Sequence, residues 1–264
     1  MNWEKLTAKD FKEAVAETEV CVIALGVVEK HGDHLPLGTD FLNGQQIATK
    51  AAEIEKAVVF PPFYFGQIYE AKCFPGTITL SPNTLLTLLQ EVLDEVGRNG
   101  FKKIVLYNAH GGNDAFLKFL AQCQIATKRN YQVYMYQKSF TEEERKKITE
   151  VLETSVHGHA CEVETSISLY HHAQWIRMDQ IDAEPFLPLR RLKHMPSMFS
   201  ALSWYSNYPE HYVGDANKAS YEKGKVLAEV EVNSLARFIK AVKEDTTMYQ
   251  LNEEFHSRAE NIKK

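Results

Sequence analysis

Residues Glu19 to Val28 read EVCVIALGVV, a nearly unbroken apolar run rich in β-branched side chains. A strand with one wet face alternates apolar and polar residues. A run that is apolar at every position is a strand covered on both faces, the pattern of a parallel sheet. Lys56 to Pro61 (KAVVFP) and Ile104 to Tyr107 (IVLY) read the same way, and Gln132 to Gln137 is a fourth candidate. Helical periodicity lies between them. Asn43 to Ile54 is the first helix. Pro82 to Val96 sets Leu85, Leu88, Leu89, Val92, Leu93 and Val96 on one face, with Ser81 as N-cap and Pro82 at the first helical position. Asn113 to Thr127 is expected to form a helix opened by the Gly111-Gly112 turn. Ala216 to Lys243 reads as an amphipathic helix interrupted near Gly224. Strands alternating with helices predict an α/β fold whose mostly parallel sheet is covered on both faces.

The rest of the chain fits that frame. Its 264 residues are 44% hydrophobic, enough for a full core, and no repeat or Gly/Ser linker divides them, so residues 1–264 are expected to form a single domain. A formal net charge of -5 gives no electrostatic reason to seek nucleic acid or an anionic membrane. The longest apolar run, Val20 to Val28, is far short of the ~20 residues that span a bilayer. The opening MNWEKLTAKDF lacks the pattern of a secretory signal, so a cytoplasmic protein is expected. Cys21, Cys73, Cys123 and Cys161 are scattered singly, which favours isolated thiols over disulfides.

In an open parallel sheet, ligands bind beyond the carboxyl ends of the strands. The first strand runs into Glu29-Lys30-His31-Gly32-Asp33-His34-Leu35-Pro36-Leu37-Gly38-Thr39-Asp40. Glu29 and His31, two residues apart, share one side of an extended segment, and Gly32, Pro36 and Gly38 let the chain turn Asp40 back towards them. The Ile104–Tyr107 strand runs into NAHGGND, placing His110 at an equivalent strand end. A third segment, His157 to Ser166 (HGHACEVETS), opens another helix. A lone loop histidine is more often a hydrogen-bonded residue than a ligand. Charged and ionisable groups gathered where the fold predicts a crevice, however, demand partners. Imidazoles mixed with carboxylates suit Zn, Mn or Fe; an all-oxygen Ca or Mg cage would not need the histidines.

EKHGDHLPLGTD, NAHGGN and HACEVETS closely resemble the signature segments of the creatininase (creatinine amidohydrolase) family. FPGTITLSPNTL (Phe74 to Leu85) and VGDANKASYEKG (Val213 to Gly224) are similar to further family landmarks in the same order. The resemblance implies a three-layer α/β/α sandwich, two divalent metal ions (Zn, Mn or Fe) and a homo-oligomer, often a hexamer. It implies hydrolysis of a C–N amide bond in a small-molecule substrate by a metal-bridging water. Position by position it implies metal ligation by Glu29, His31, Asp40 and His110, with Asp40 between the ions, and a catalytic role for His159. Creatininase itself has a ligating glutamate two residues after the histidine matching His110. This chain has Gly112 there, and Glu164 is the candidate that replaces it. His34 and Asn113 are expected to orient His31 and His110. The tryptophans that surround creatinine in that family have no counterpart between Tyr131 and His159, so the resemblance reaches the chemistry and not the substrate.

Two other classes fit a mixed Asp/His/Glu site: a binuclear phosphoester hydrolase, and a non-catalytic assembly protein stabilised by metal. The sequence offers no phosphate-clamping Arg or Lys beside the motifs; Arg190-Arg191-Leu192-Lys193 reads as a solvated loop. The aromatic stretch Phe199 to Tyr212 reads as pocket wall, subunit interface or ordinary packing. His171-His172, adjacent on a helix, diverge too far to share a metal.

Overall fold

A computed structural model describes residues 1–262. Four parallel strands, β1 (Val20–Leu25), β2 (Val58–Val59), β3 (Lys103–Asn108) and β4 (Gln132–Met135), form a sheet in the order β2-β1-β3-β4. All six β1 residues are buried, which is why the segment carries no polar alternation. Its side chains divide between two cores. Val20, Val22 and Ala24, with Val105 and Tyr107 of β3, face α2 (Thr39–Ile54), α5 (Glu142–Val151), α6 (Glu162–His172) and α8 (Tyr221–Glu244). Cys21, Ile23 and Leu25, with Ile104 and Leu106, face α1 (Ala8–Thr18), α3 (Pro82–Arg98) and α4 (Asp114–Cys123). The result is the expected α/β/α sandwich. Two further helices, α7 (Ser203–Asn207) and α9 (Thr247–Glu260), lie outside these layers. Leu89 and Leu93 of α3 are fully buried; truncating either to Ala removes a contribution of roughly 2–5 kcal/mol.

Several boundaries differ from the sequence reading. Only Val58 and Val59 of the 56–61 segment pair with β1; the prolines at 61 and 62 have no N–H to extend the ladder. Helix α2 begins at Thr39, four residues before the first clear apolar period, which puts Asp40 in its first turn. Helix α4 stops at Cys123 and tightens into a 3-10 turn. Helix α8 begins at Tyr221, capped by Ser220, and runs through Gly224 without interruption. A Cβ at Gly224 would lie 1.8 Å from the Ser166 carbonyl oxygen, so the glycine is there for close α6–α8 contact.

A small antiparallel pair, β5 (His157–His159) with β6 (Val213–Gly214), goes beyond the sequence reading; it carries His159, whose ring lies 4.2 Å from that of His31 beyond the end of β1. All four thiols are free. Among the described residues no helix is long and apolar enough to cross a membrane.

Candidate metal centre

Strands β1 and β3 are neighbours in exact parallel register, Leu25 opposite Asn108. The chain leaving each therefore emerges at the same edge, which delivers Glu29 and His31 from one and His110 from the other. Asp40 enters from the first turn of α2, and Glu164 from the first turn of α6. All five residues singled out from sequence as ligands meet here. Donor atoms of Glu29, Asp40 and His110 lie within 4.8 Å of one another, as do those of His31, Asp40 and Glu164. Asp40 belongs to both groups. A third group joins Glu29, His31 and His159.

The imidazoles are oriented like ligands. His110 Nε2 lies 3.0 Å from the Gln67 carbonyl oxygen. A carbonyl only accepts, so Nε2 carries a proton and Nδ1 is turned towards the carboxylates. That Nδ1 sits 2.9 Å from Glu29 Oε1 and 3.1 Å from Asp40 Oδ2. His31 Nδ1 faces the Glu29 carbonyl at 3.3 Å, leaving Nε2 3.1 Å from Asp40 Oδ1. Each ring spends one nitrogen on a backbone carbonyl and aims the other at carboxylates, the arrangement that orients metal-binding histidines.

Electrostatics point the same way. Glu29 and His31 are fully buried, and Asp40 and His110 nearly so. Burial alone would drive the His31 and His110 protons off. The adjacent carboxylates outweigh it, Asp40 foremost for His31 and Glu29 for His110, so His31 rises to about 10 and His110 well above its usual range. Burial pushes Glu164 up to about 7. Burial would likewise raise Glu29, but His110, with the hydrogen bond from His211, holds it well below the carboxylate range. The cage thus concentrates negative charge that favours positively charged partners. Glu29 Oε1 and Asp40 Oδ2 are buried with no hydrogen bond of acceptable geometry, although His110 Nδ1 is near both. Buried carboxylate oxygens without a partner are costly, and a divalent cation is the partner this donor set suits.

His159 is buried at the end of β5, its ring 4.2 Å from that of His31. Nε2 lies 2.7 Å from the Lys30 carbonyl oxygen, so it donates there and Nδ1 keeps the lone pair. Burial lowers its pKa to about 3, leaving the ring neutral. Asn113 reaches His110 indirectly: its Oδ1 accepts from the Gln67 backbone N–H at 2.8 Å, and the carbonyl of Gln67 then holds His110. His34 lies at 2.9 Å from Thr165 Oγ1 on α6 and not against the His31 ring, so it fixes the helix that carries Glu164. At Gly112 a Cβ would fall 2.5 Å from His110 Nε2 and 2.8 Å from Gln67 Oε1. Gln67 thus occupies the space a side chain there would need.

The structure adds two residues that the sequence did not reveal. His211, just before β6, places Nε2 2.5 Å from Glu29 Oε2. Trp204 of α7 donates its indole N–H to His211 Nδ1 at 3.1 Å. This leaves Nε2 as the protonated nitrogen of His211 that donates to Glu29. His211 takes a φ of 55° and Ala160, beside His159, likewise 55°. Left-handed backbone at non-glycine residues costs about 1 kcal/mol or more and collects at functional sites. Elsewhere, Arg191 is spent on the carbonyls of Ser206 and Tyr205, and His172 stacks on Trp175.

The model of the creatininase family, described as creatinine amidohydrolase, matches residues 4–239. The chain belongs to the creatininase family. Members are amidohydrolases acting on carbon–nitrogen bonds, and this creatininase-family chain is an enzyme of that class. It is 27% identical to 3-dehydro-scyllo-inosose hydrolase of Thermotoga maritima, over 92% of this chain and 83% of that protein. It is 25% identical to creatinine amidohydrolase of Pseudomonas putida, over 89% of this chain and 95% of that one. A crystal structure of creatinine amidohydrolase shares the fold with a TM-score of 0.78 at 23% identity, covering 93% and 98% of the two chains. Solved creatininases include manganese and zinc–zinc forms.

Proposed function

We propose that this chain hydrolyses an amide C–N bond of a small molecule at a centre where Glu29, His31, Asp40, His110 and Glu164 hold two divalent cations. One observation carries the reading: two donor groups share Asp40, and the buried oxygens Glu29 Oε1 and Asp40 Oδ2 have no other partner. Zinc, manganese or iron bound there would supply Lewis acidity towards a carbonyl and an activated water. The protein's part is to hold and orient. Asp40 spans both groups, with Glu29 and His110 on one side and His31 and Glu164 on the other. Asn113 sets the His110 ring through Gln67, and His34 sets the start of α6 through Thr165. His159 offers Nδ1 as the atom that carries a proton between water and the departing nitrogen, its ring fixed by the Lys30 carbonyl.

A cavity of about 310 Å³ opens beside Asp40 and Glu164, a volume suited to a small molecule. We further propose that residues 1–264 act as one domain and assemble as a homo-oligomer. Leu187, Leu189, Phe199 and Leu202 are exposed apolar side chains that such a contact could cover.

The test is elemental analysis of the purified protein followed by a hydrolysis screen spanning lactams, formamides, cyclic polyol ketones and phosphoesters. Two equivalents of transition metal with amide turnover support the reading. Phosphate release in place of amine release, or full amide turnover in rigorously metal-free protein, overturns it.

A further inference from the structure

Besides Asp40 and Glu164, the cavity is walled by groups that the metal chemistry does not use. Glu231 of α8 lies almost wholly buried at its edge and accepts the Tyr107 hydroxyl at 2.6 Å. The same Glu231 oxygen sits 2.5 Å from Lys138 Nζ, whose side chain is half exposed at the cavity lip. Lys138 has three N–H donors, and Glu231 is its one ion-pair partner among the described residues, so donors remain for a ligand. Asn43 of α2 lines the same cavity. Its Nδ2 donates to Ser168 Oγ at 2.8 Å, which ties that wall of the cavity to α6.

These groups describe a ligand. A carboxylate calls for donors, and an ammonium calls for acceptors. Both border one small space next to the cation-binding carboxylates. A flat heterocycle with apolar edges would leave their remaining hydrogen-bonding positions unfilled at the expense of lost hydration. Hydroxyl groups, each donor and acceptor at once, satisfy both. We infer that the substrate is polyhydroxylated, a cyclic molecule carrying several hydroxyls around the scissile carbonyl, and that Lys138 and Glu231 read those hydroxyls. Tyr107 is a positioning residue, holding the Glu231 carboxylate towards the cavity. The inference rests on the proposed hydrolytic centre and adds to it the class of molecule admitted.

A matched pair of lactams separates the two layers of the argument: D-glucono-δ-lactam and its deoxy counterpart δ-valerolactam share ring size and amide but not hydroxyls. Dissociation constants are measured by calorimetry on the metal-loaded full chain, and turnover by release of primary amine. The hydroxylated lactam is expected to bind about 10²-fold or more tightly than the deoxy one, since sites built for a hydroxyl discriminate strongly against its absence. Lys138→Met and Glu231→Gln are each expected to cut that preference at least about 10-fold with metal content unchanged. Equal binding of the two lactams, binding of neither, or full preference in both variants overturns the inference. A retained preference with no hydrolysis of either lactam supports it while counting against the amide reading.

Discussion

Asp40→Asn is the sharpest test of the centre, because one substitution touches both donor groups. A ligand that binds only the folded state stabilises it by RT ln(1 + [L]/Kd), about 2.7 kcal/mol at a free concentration one hundred times Kd. Two cations at that excess contribute about 5 kcal/mol, or roughly 10–20 °C in Tm for a chain of this size. Asparagine keeps the shape of Asp40 but loses the charge that faces His31 at 3.1 Å and His110 at 3.1 Å. If each cation binds about a hundredfold more weakly, the free concentration merely equals Kd. Each then contributes about 0.4 kcal/mol, and the Tm gain shrinks to roughly 2–3 °C. Scanning calorimetry of wild type and variant, with zinc or manganese and again with chelator, reads the difference directly. A variant that keeps the full metal-dependent shift and two equivalents of bound metal would refute the shared-carboxylate reasoning.

His159→Ala is expected to lower kcat by roughly 10²–10⁴-fold while leaving metal content intact; unchanged turnover removes its proton-carrying role. His211→Ala removes the hydrogen bond that fixes Glu29 Oε2, and the cation Kd, measured by chelator competition, is expected to rise about 10–100-fold. An unchanged Kd shows that Glu29 needs no such support. Glu162→Gln is expected to cost roughly 1–3 kcal/mol at pH 7 by urea titration, since Lys223 would lose the buried carboxylate 2.5 Å away while keeping Glu153. Burial would raise the Glu162 pKa, but Lys223, Thr154 and backbone N–H groups depress it overall. Its contribution is therefore complete above the unfolded value of ~4.3 and disappears as pH falls through the lower folded value. Wild-type stability should fall over that acid range, and the variant should lack this component; parallel curves for the two would refute the assignment.

The parts of this protein that a sequence reader can find are those with a local physical cause. β1 is legible because a strand covered on both faces needs no polar residue, and α3 because its buried leucines repeat at helical spacing above a Ser-Pro cap. Glu29 and His31 are legible because a charged pair at the end of a buried strand has few structural explanations. The start of α2 is not, since Thr39 and Asp40 belong to the helix by hydrogen bonding and not by apolar pattern. Gly224 reads as a break until α6 is seen packed against it. His211 leaves no local trace at all: it lies 182 residues from Glu29, and only the fold brings them together. Glu162 and Glu164 look alike in HACEVETS, yet two residues on a helix diverge by about 200°, so one pairs with Lys223 and the other joins the cage.

The five candidate ligands come from both the sheet and the helical layer: Glu29, His31 and His110 from the ends of β1 and β3, Asp40 and Glu164 from the first turns of α2 and α6. A cation seated among them would therefore act as a clasp between layers that meet elsewhere mainly through apolar contact. Its withdrawal leaves the six-residue β1–β3 ladder intact and frees the two helix starts to part from it. Amide exchange is then expected to quicken at the front of α2 and α6 while the strands keep their protection, so that a metal-starved chain stays folded yet loosens at the seam between sheet and helices.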